Sequence, residues 1–295
     1  MWNFDVEFKE ALTVAEEAVK RYLPKDTYAR ELCEAMSYAV EAGGKRIRPI
    51  LLYEGYRLFG GEGEEVYPFM AALEYIHTSS LVHDDLPALD NDDIRRGRPA
   101  THKAFGEALG VLAGDGLLNH AFEVMAYGAS LTPEKENAIR AIQILAAKAG
   151  KGGMLGGQSV DVATEGIGLS SETLFYIYEK KTSALLEAGL MAGAALAGAG
   201  EEDLSLLEQA GRQLGLAFQI QDDVLDEEGS EAELGKPLHS DEKNEKTTSV
   251  TLFGLAGSKE MAATYTEGAK KALLSLGRDT RFLEALFDSL LGRRK

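Results

Sequence analysis

The 295-residue chain holds one cysteine, Cys33. A disulfide framework and a cysteine-based metal site are therefore both excluded. On a segment of apolar helical period, a lone cysteine is expected to be an inert core residue. Positive charge is also scarce: 31 lysines and arginines stand against 48 aspartates and glutamates, for a formal charge of −17. That balance disfavours nucleic acid and anionic membranes as partners, because binders of either carry basic faces. An anionic substrate would have to be held locally, by metal and a few placed basic residues, since long-range steering opposes it. Long apolar runs are missing as well. The longest, Ala184 to Gly200, is interrupted by Glu187, and its uncharged part falls short of the roughly 20 residues that cross a bilayer. It is expected as a tightly packed internal helix, with no stable membrane insertion. The first residues, Met1-Trp2-Asn3-Phe4-Asp5-Val6-Glu7, lack the basic-then-apolar pattern of a secretory signal, so the expected location is the cytoplasm. Alternating strands, internal repeats, low-complexity tracts and a dividing linker are absent too.

What the chain does have is helical period nearly throughout. Phe4, Phe8, Leu12, Ala15, Val19 and Tyr22 recur at spacings of three and four. The same rhythm predicts helices from about Asp26 to Ala42, Arg48 to Gly60, Glu64 to His83, Thr101 to Tyr127, Pro133 to Lys148 and Met154 to Val162. Further helices are expected over Ser171 to Ala199, Glu201 to Asp226, Lys243 to Leu255, Lys259 to Leu276 and Arg281 to Leu291. Asp226 to Lys246 is polar, with Gly229, Gly235 and Pro237, and reads as a long loop of the kind that serves as a lid or binding segment. One all-α domain over residues 1–295 is the expected architecture, with 45% hydrophobic residues to fill its core.

Two acidic clusters interrupt this pattern. His83-Asp84-Asp85-Leu86-Pro87-Ala88-Leu89-Asp90-Asn91-Asp92-Asp93 precedes Arg95, Arg96 and Arg98. Crowded carboxylates repel, and a divalent cation relieves this; hard oxygen ligands suit magnesium or manganese. Guanidinium groups bind phosphate oxygens through two donors, so the arginines suit a phosphorylated ligand. On a continuous helix Asp84 and Asp90 would point apart. Pro87 is expected to loosen or end the helix at Leu86-Pro87 and let Asp90 swing back towards Asp84. The second cluster, Gln219-Ile220-Gln221-Asp222-Asp223-Val224-Leu225-Asp226, puts Asp222 and Asp226 one turn apart on one helix face. Like charges there cost a bare helix roughly 0.2–0.5 kcal/mol per pair, which a shared cation would offset. Two such clusters could face each other across a bundle core, where metal sites of this sort are built.

Together, DDLPALD with RRGRPATH, and FQIQDDVLD, resemble the two aspartate-rich motifs of the trans-isoprenyl (polyprenyl) diphosphate synthases. Gly43-Gly44-Lys45-Arg46-Ile47-Arg48-Pro49, Gly157-Gln158 with Asp161, Lys180-Lys181-Thr182, Gly235-Lys236, Lys246-Thr247-Thr248 and a basic Arg293-Arg294-Lys295 tail are also similar to that family's motifs, in order, from about Gly43 to Lys295. The spacing of the first motif is similar to that of bacterial farnesyl and related geranylgeranyl synthases. Leu238-His239 departs from the family, which usually has glycine before Ser-Asp.

The resemblance implies a single-domain helical bundle of the isoprenoid synthase type with a central substrate cavity, working as a homodimer. It implies condensation of isopentenyl diphosphate with dimethylallyl, geranyl or farnesyl diphosphate, to give geranylgeranyl or farnesyl diphosphate. Three magnesium ions, with manganese as a substitute, would be clamped by Asp84, Asp85, Asp90, Asp222 and Asp226. Asp223 and Lys181 would join the catalytic set. Arg95, Lys181, Thr182, Gln219, Lys236 and Lys246 would hold the allylic diphosphate, and Lys45, Arg48, His77 and Arg96 the isopentenyl diphosphate. Ser79 and Ser80, just before the first aspartate, would set chain length. Both are small, which favours twenty carbons with fifteen close behind, although Ile76 or the Thr101–Tyr127 helix could also floor the pocket. Blander readings exist for single residues. Lys45 and Arg48 could be ordinary surface residues, Gln219 or Gln221 a satisfied buried amide, and Asp92 and Asp93 solvated spacers. Glu74 and His77 form half of a di-iron signature whose other half is missing. A class I terpene cyclase and a non-catalytic subunit of a heteromeric synthase are the rival functions.

Overall fold

The three-and-four spacing of apolar residues is realised as helix throughout the computed structural model, which describes residues 2–228 and 247–292. The elements in chain order are α1 (Phe4–Arg21), α2 (Arg30–Val40), α3 (Ile47–Leu58), α4 (Val66–Asp84), β1 (Ile94–Arg95), β2 (Arg98–Pro99), α5 (Thr101–Phe105), α6 (Glu107–Leu131) and α7 (Lys135–Ala149). There follow α8 (Met154–Ala163), α9 (Ser171–Ile177), a π-helix (Tyr178–Ser183), α10 (Ala184–Leu196), α11 (Glu201–Glu228), α12 (Ser249–Leu274) and α13 (Arg281–Leu291). The all-α class holds. Four local features differ from the sequence reading. Residues 94–99 form a two-residue-per-strand antiparallel hairpin where no strand was expected. The helix expected over Thr101 to Tyr127 breaks at Gly106. The Ser171 to Ala199 helix carries a π-helical turn in its middle. The last two predicted segments before α13 join into α12, kinked at Gly254 (φ 70°, ψ 162°).

The chain divides into two compact units. Asp5–Ile142 with Ala192–Gly198 make the first. At its centre α4 is encased, with Phe69, Met70, Ala71, Ala72, Leu73, Tyr75 and Ile76 all at 0% exposure, because its sequence is apolar all round. Tyr75, fully buried, donates its hydroxyl to the Val19 carbonyl at 2.7 Å and stacks on His120. A phenol in a core needs such a partner, since an unpaired buried hydroxyl costs about 1–3 kcal/mol.

Gln143–Met191 with the residues from Ala199 onward make the second unit, together with the N-terminal residues up to Phe4. Here α11 buries one stripe, Leu207, Ala210, Leu214, Ala217, Ile220 and Val224. Leu174, Ile177, Tyr178, Leu216, Ile220 and Ala262 form a core cluster around the π-helix. Glu187, the charge inside the apolar run, is buried and paired with Lys148, which also reaches Glu208 at 2.6 Å. Among the described residues no helix is long and apolar enough to cross a membrane.

Candidate active site

The candidate residues fall into two groups, one per unit. In the first unit α4 stops at Asp84, slightly before the Leu86-Pro87 step, with Asp85 at its C-cap. The chain then turns back, and the Asp90 N–H donates to the Asp84 carbonyl at 2.8 Å. This is the return that Pro87 led the sequence reading to expect. Asp84 is half-buried and Asp90 exposed.

The hairpin that follows has Arg96 and Gly97 at its tip, with φ of 53° and 75°. Two successive left-handed residues between paired strands make a tight primed turn, which glycine accepts freely and arginine only at some cost. The turn sends successive arginines to different partners. Arg95 donates through Nε to Asp85 Oδ1 at 2.9 Å, through Nη2 to the same oxygen, and through Nη2 to Asp92 at 3.2 Å. Arg96 donates to the Gly43 carbonyl. Its guanidinium lies so close to Gly44 that a Cβ there would sit 2.9 Å from Arg96 Cζ.

Two expectations change here. Asp85, expected among the metal ligands, is 2% exposed, and burial raises its carboxyl pKa against the pull of Arg95. Its Oδ1 already accepts two guanidinium N–H groups, so a metal that keeps this pair would have to meet Oδ2. The structure presents it as the partner of Arg95. Asp92, set aside as a spacer, belongs to the same pairing.

Behind the hairpin lies a basic group. Arg48 Nη1 sits 3.3 Å from His77 Nε2, and Arg48 Nε is buried with no hydrogen-bond partner. Burial lowers the Arg48 guanidinium to about 10, which leaves it cationic at neutral pH. Burial first, and Arg48 second, hold the His77 imidazole pKa well below its ordinary value. His77 is thus neutral and accepts from Arg48. An unsatisfied guanidinium donor beside Arg96 is a fitting seat for phosphate oxygens. Lys45 is exposed in the turn between Gly43 and α3. Arg46, between Lys45 and Arg48 in the sequence, is otherwise engaged. It is 3% exposed, pairs with Glu74 at 2.6 Å and Glu16 at 2.8 Å, and donates to the Val40 carbonyl. Glu74 is therefore the counter-ion of Arg46, and the half di-iron signature dissolves. Ser79 and Ser80 turn their hydroxyls onto the Ile76 and His77 carbonyls of their own helix, with Ser79 buried and Ser80 half-buried.

In the second unit the π-helix carries Lys181 and Thr182. A π turn wedges an extra residue into the helix and often marks a functional site. Lys181 pairs with Asp161 of α8 at 2.6 Å. The helices meet there through Gly157, where a Cβ would lie 2.8 Å from the Lys180 carbonyl carbon. Thr182 donates to Gln219 Oε1 at 2.9 Å, and Gln219 Nε2 lies 3.4 Å from Asp223 Oδ1. The aspartates of α11 separate by environment. Asp222 is half-buried and Asp226 is 5% exposed, four residues apart on continuous helix as expected. Asp223, expected in the catalytic set, is also 5% exposed, and its Oδ2 accepts from Tyr178 Oη at 2.5 Å, Ser249 N at 2.8 Å and Ser249 Oγ at 2.7 Å. Burial raises its carboxyl pKa while those donors oppose the rise. That carboxylate is engaged by protein. Lys236, Lys246, most of the expected loop and the Arg293–Lys295 tail lie outside the described residues.

Among the described residues no three His, Cys, Asp or Glu side chains converge as a ready metal cage. The donor chemistry nonetheless fits magnesium. Asp84 and Asp90 carry carboxylates in the first unit, and Asp222 and Asp226 in the second. Magnesium typically takes one or two carboxylates and completes its shell with water and substrate phosphate.

Sequence reasoning passed over Tyr178, Ser249, Glu74 as partner of Arg46, and the hairpin. Only the Arg-Gly dipeptide at 96–97 signalled any of these, as a weak turn former. Comparison with known proteins fits the arrangement. The family model described as polyprenyl synthetase matches residues 29–274. A farnesyl diphosphate synthase of Geobacillus stearothermophilus is 44% identical, over 90% of this chain and 89% of that protein. A geranylgeranyl diphosphate synthase of Cyanophora paradoxa is 40% identical, over 96% and 94%. The crystal structure of an FPP/GFPP synthase from Zymomonas mobilis, 32% identical, superposes with a TM-score of 0.86 over 98% of this chain and 99% of that one. With its aspartate motifs, its split pair of arginines and this likeness over nearly its whole length, the chain belongs to the polyprenyl synthetase family.

Proposed function

We propose that this protein is a short-chain trans-prenyltransferase, joining isopentenyl diphosphate to dimethylallyl, geranyl or farnesyl diphosphate to make geranylgeranyl and farnesyl diphosphate. One observation carries the two-substrate reading: the hairpin tip sends Arg95 to the aspartates and Arg96 to the turn that begins the Lys45–Arg48 segment. Each diphosphate then has its own guanidinium. A terpene cyclase, which takes no isopentenyl diphosphate, has no use for the second group.

In this reading Lys45, Arg48, neutral His77 and Arg96 seat the isopentenyl diphosphate. Arg95, Lys181, Thr182, Gln219, Lys236 and Lys246 hold the allylic one. Asp84, Asp90, Asp222 and Asp226 would hold magnesium, as three ions, which would supply Lewis-acid stabilisation of the departing diphosphate. The allylic carbon–oxygen bond breaks with its electron pair going to diphosphate. The isopentenyl double bond attacks the allylic carbon, and a proton is lost to the released diphosphate. Lys181 and Arg95, fixed by their aspartate partners, offer that diphosphate positive charge without rearrangement. Thr182 and Gln219, bonded to each other, turn oxygen dipoles towards the developing carbocation. The small Ser79 and Ser80 leave room above the first aspartate for a twenty-carbon tail.

The chain acts as one domain, since the family match runs unbroken through both units. It works in the cytoplasm as a homodimer, in keeping with Val111, Leu112 and Phe122 of α6, which are 44%, 50% and 40% exposed. The test is elongation, with purified protein, Mg²⁺, isopentenyl diphosphate and each allylic primer in turn, and products sized by mass spectrometry. Twenty-carbon product that disappears on chelation of Mg²⁺ and returns on its addition supports the reading. No elongation from any primer overturns it.

A further inference from the structure

A carboxylate that accepts three donors on one oxygen, deep in the protein, is more than a spare member of an aspartate motif. Asp223 Oδ2 takes Tyr178 Oη at 2.5 Å, Ser249 N at 2.8 Å and Ser249 Oγ at 2.7 Å, and Ser249 N also lies 3.2 Å from Tyr178 Oη. The two donor residues come from different places in the chain. Tyr178 is the first residue of the π-helix that carries Lys181 and Thr182. Ser249 is the first residue of α12. Just before it, the Thr247 hydroxyl accepts from the Leu169 N–H at 3.1 Å, and Thr248 caps the helix by exchanging bonds with Thr251. On its other oxygen Asp223 reaches Gln219, the partner of Thr182.

We infer that Asp223 is a positioning residue: through Tyr178 and Ser249 it locks the π-helix and the first turn of α12 onto α11, and so fixes Lys181 and Thr182 for the allylic diphosphate. Tyr178 and Ser249 are the other two members of this device. The inference rests on the prenyltransferase reading for what is being positioned, but its geometry stands without it. Neutral donors alone satisfy the carboxylate, and Tyr178 is 6% and Ser249 0% exposed, so the bonds act where water cannot replace them. The three donors meet Oδ2 and Gln219 meets Oδ1 at 3.4 Å, so protein groups face both oxygens of Asp223. Asp222, half-buried next to it, is the metal ligand of the proposed function.

The experiment compares Asp222→Asn, Asp223→Asn, Tyr178→Phe and Ser249→Ala with the wild-type chain. Readouts are kcat, KM for each substrate, the Mg²⁺ concentration at half-maximal activity, and amide hydrogen exchange over residues 247–253 and 176–183. Asp222→Asn is expected to raise the Mg²⁺ requirement at least tenfold. Tyr178→Phe, which hardly changes volume and should fold, is expected to lower kcat/KM for the allylic substrate about tenfold. It should leave the Mg²⁺ requirement within twofold and speed exchange in both segments. Ser249→Ala and Asp223→Asn should move the same readouts in the same direction. Tyr178→Phe with wild-type exchange and kinetics overturns the inference, as does a Mg²⁺ requirement shifted by Asp223→Asn as far as by Asp222→Asn. If the wild-type chain elongates nothing, the functional reading fails, while the exchange data still decide whether Asp223 locks the two segments.

Discussion

Replacing Glu74 by alanine should strand a buried charge, and the structure gives the size of the effect. The Arg46 side chain is 1% exposed and that of Glu74 is 2%, with Nη1 and Oε1 2.6 Å apart. Removing one partner of such a pair typically costs about 3–5 kcal/mol, because the other is left uncompensated in a low dielectric. Arg46 would keep Glu16 at 2.8 Å and the Val40 carbonyl at 2.8 Å, and the Glu16 side chain is 28% exposed, so solvent weakens that remaining pair. The lower end, about 3 kcal/mol, is the expected loss. At about 2 °C per kcal/mol for a chain of this size, the melting temperature falls by about 6 °C. Thermal unfolding followed by circular dichroism would measure it, with Glu16→Ala as the control expected to cost under about 1 kcal/mol. The double change Arg46→Met with Glu74→Leu should recover most of the loss, since a buried pair replaced whole by apolar side chains is often neutral. A Glu74→Ala protein melting within a degree of wild type would refute the reasoning. So would a double variant as unstable as the single one, because the cost would then not lie in the stranded charge.

Other outcomes follow from the same geometry. His77 is held neutral by burial, so its folded-state pKa lies below the ordinary 6.5 and the unfolded chain binds the extra proton first. Stability is therefore full above about pH 6.5 and falls below it by up to about 1.4 kcal/mol per pH unit; denaturant titrations should show this slope flatten in His77→Gln. Gly157→Ala would press a Cβ against the Lys180–Lys181 backbone, costing about 1–3 kcal/mol. The resulting shift of Lys181 should lower kcat on the order of tenfold to a hundredfold in steady-state assays. Ser79→Phe puts an aromatic ring where a residue 3% exposed now sits, and mass spectrometry should find a shorter product. An unchanged product length would remove Ser79 from the chain-length determinants.

The sequence by itself determined the helical class, most helix spans, the one-turn relation of Asp222 and Asp226, and the return of Asp90 to Asp84. These are local. Apolar spacing, helix period and the missing donor of Pro87 act within a few residues of themselves, so they can be read along the chain. It also carried the family motifs, whose order and spacing need no coordinates. Tertiary structure decided which partners the members of each motif meet. Asp84 and Asp85 are adjacent in sequence and equal in charge, yet Asp85 is turned inward to Arg95 by a hairpin whose only sequence signal is Arg96-Gly97. Asp222 and Asp223 are likewise alike on paper. Their difference arises because Tyr178 and Ser249, 45 and 26 residues away, bring three donors to one of them. Arg46 and Arg48 divide in the same way, one consumed by Glu74 and one left with an unsatisfied donor beside His77. A carboxylate or guanidinium takes its role from whatever donors, acceptors and solvent the fold brings to it. Those neighbours come from distant parts of the chain, and no local pattern encodes them.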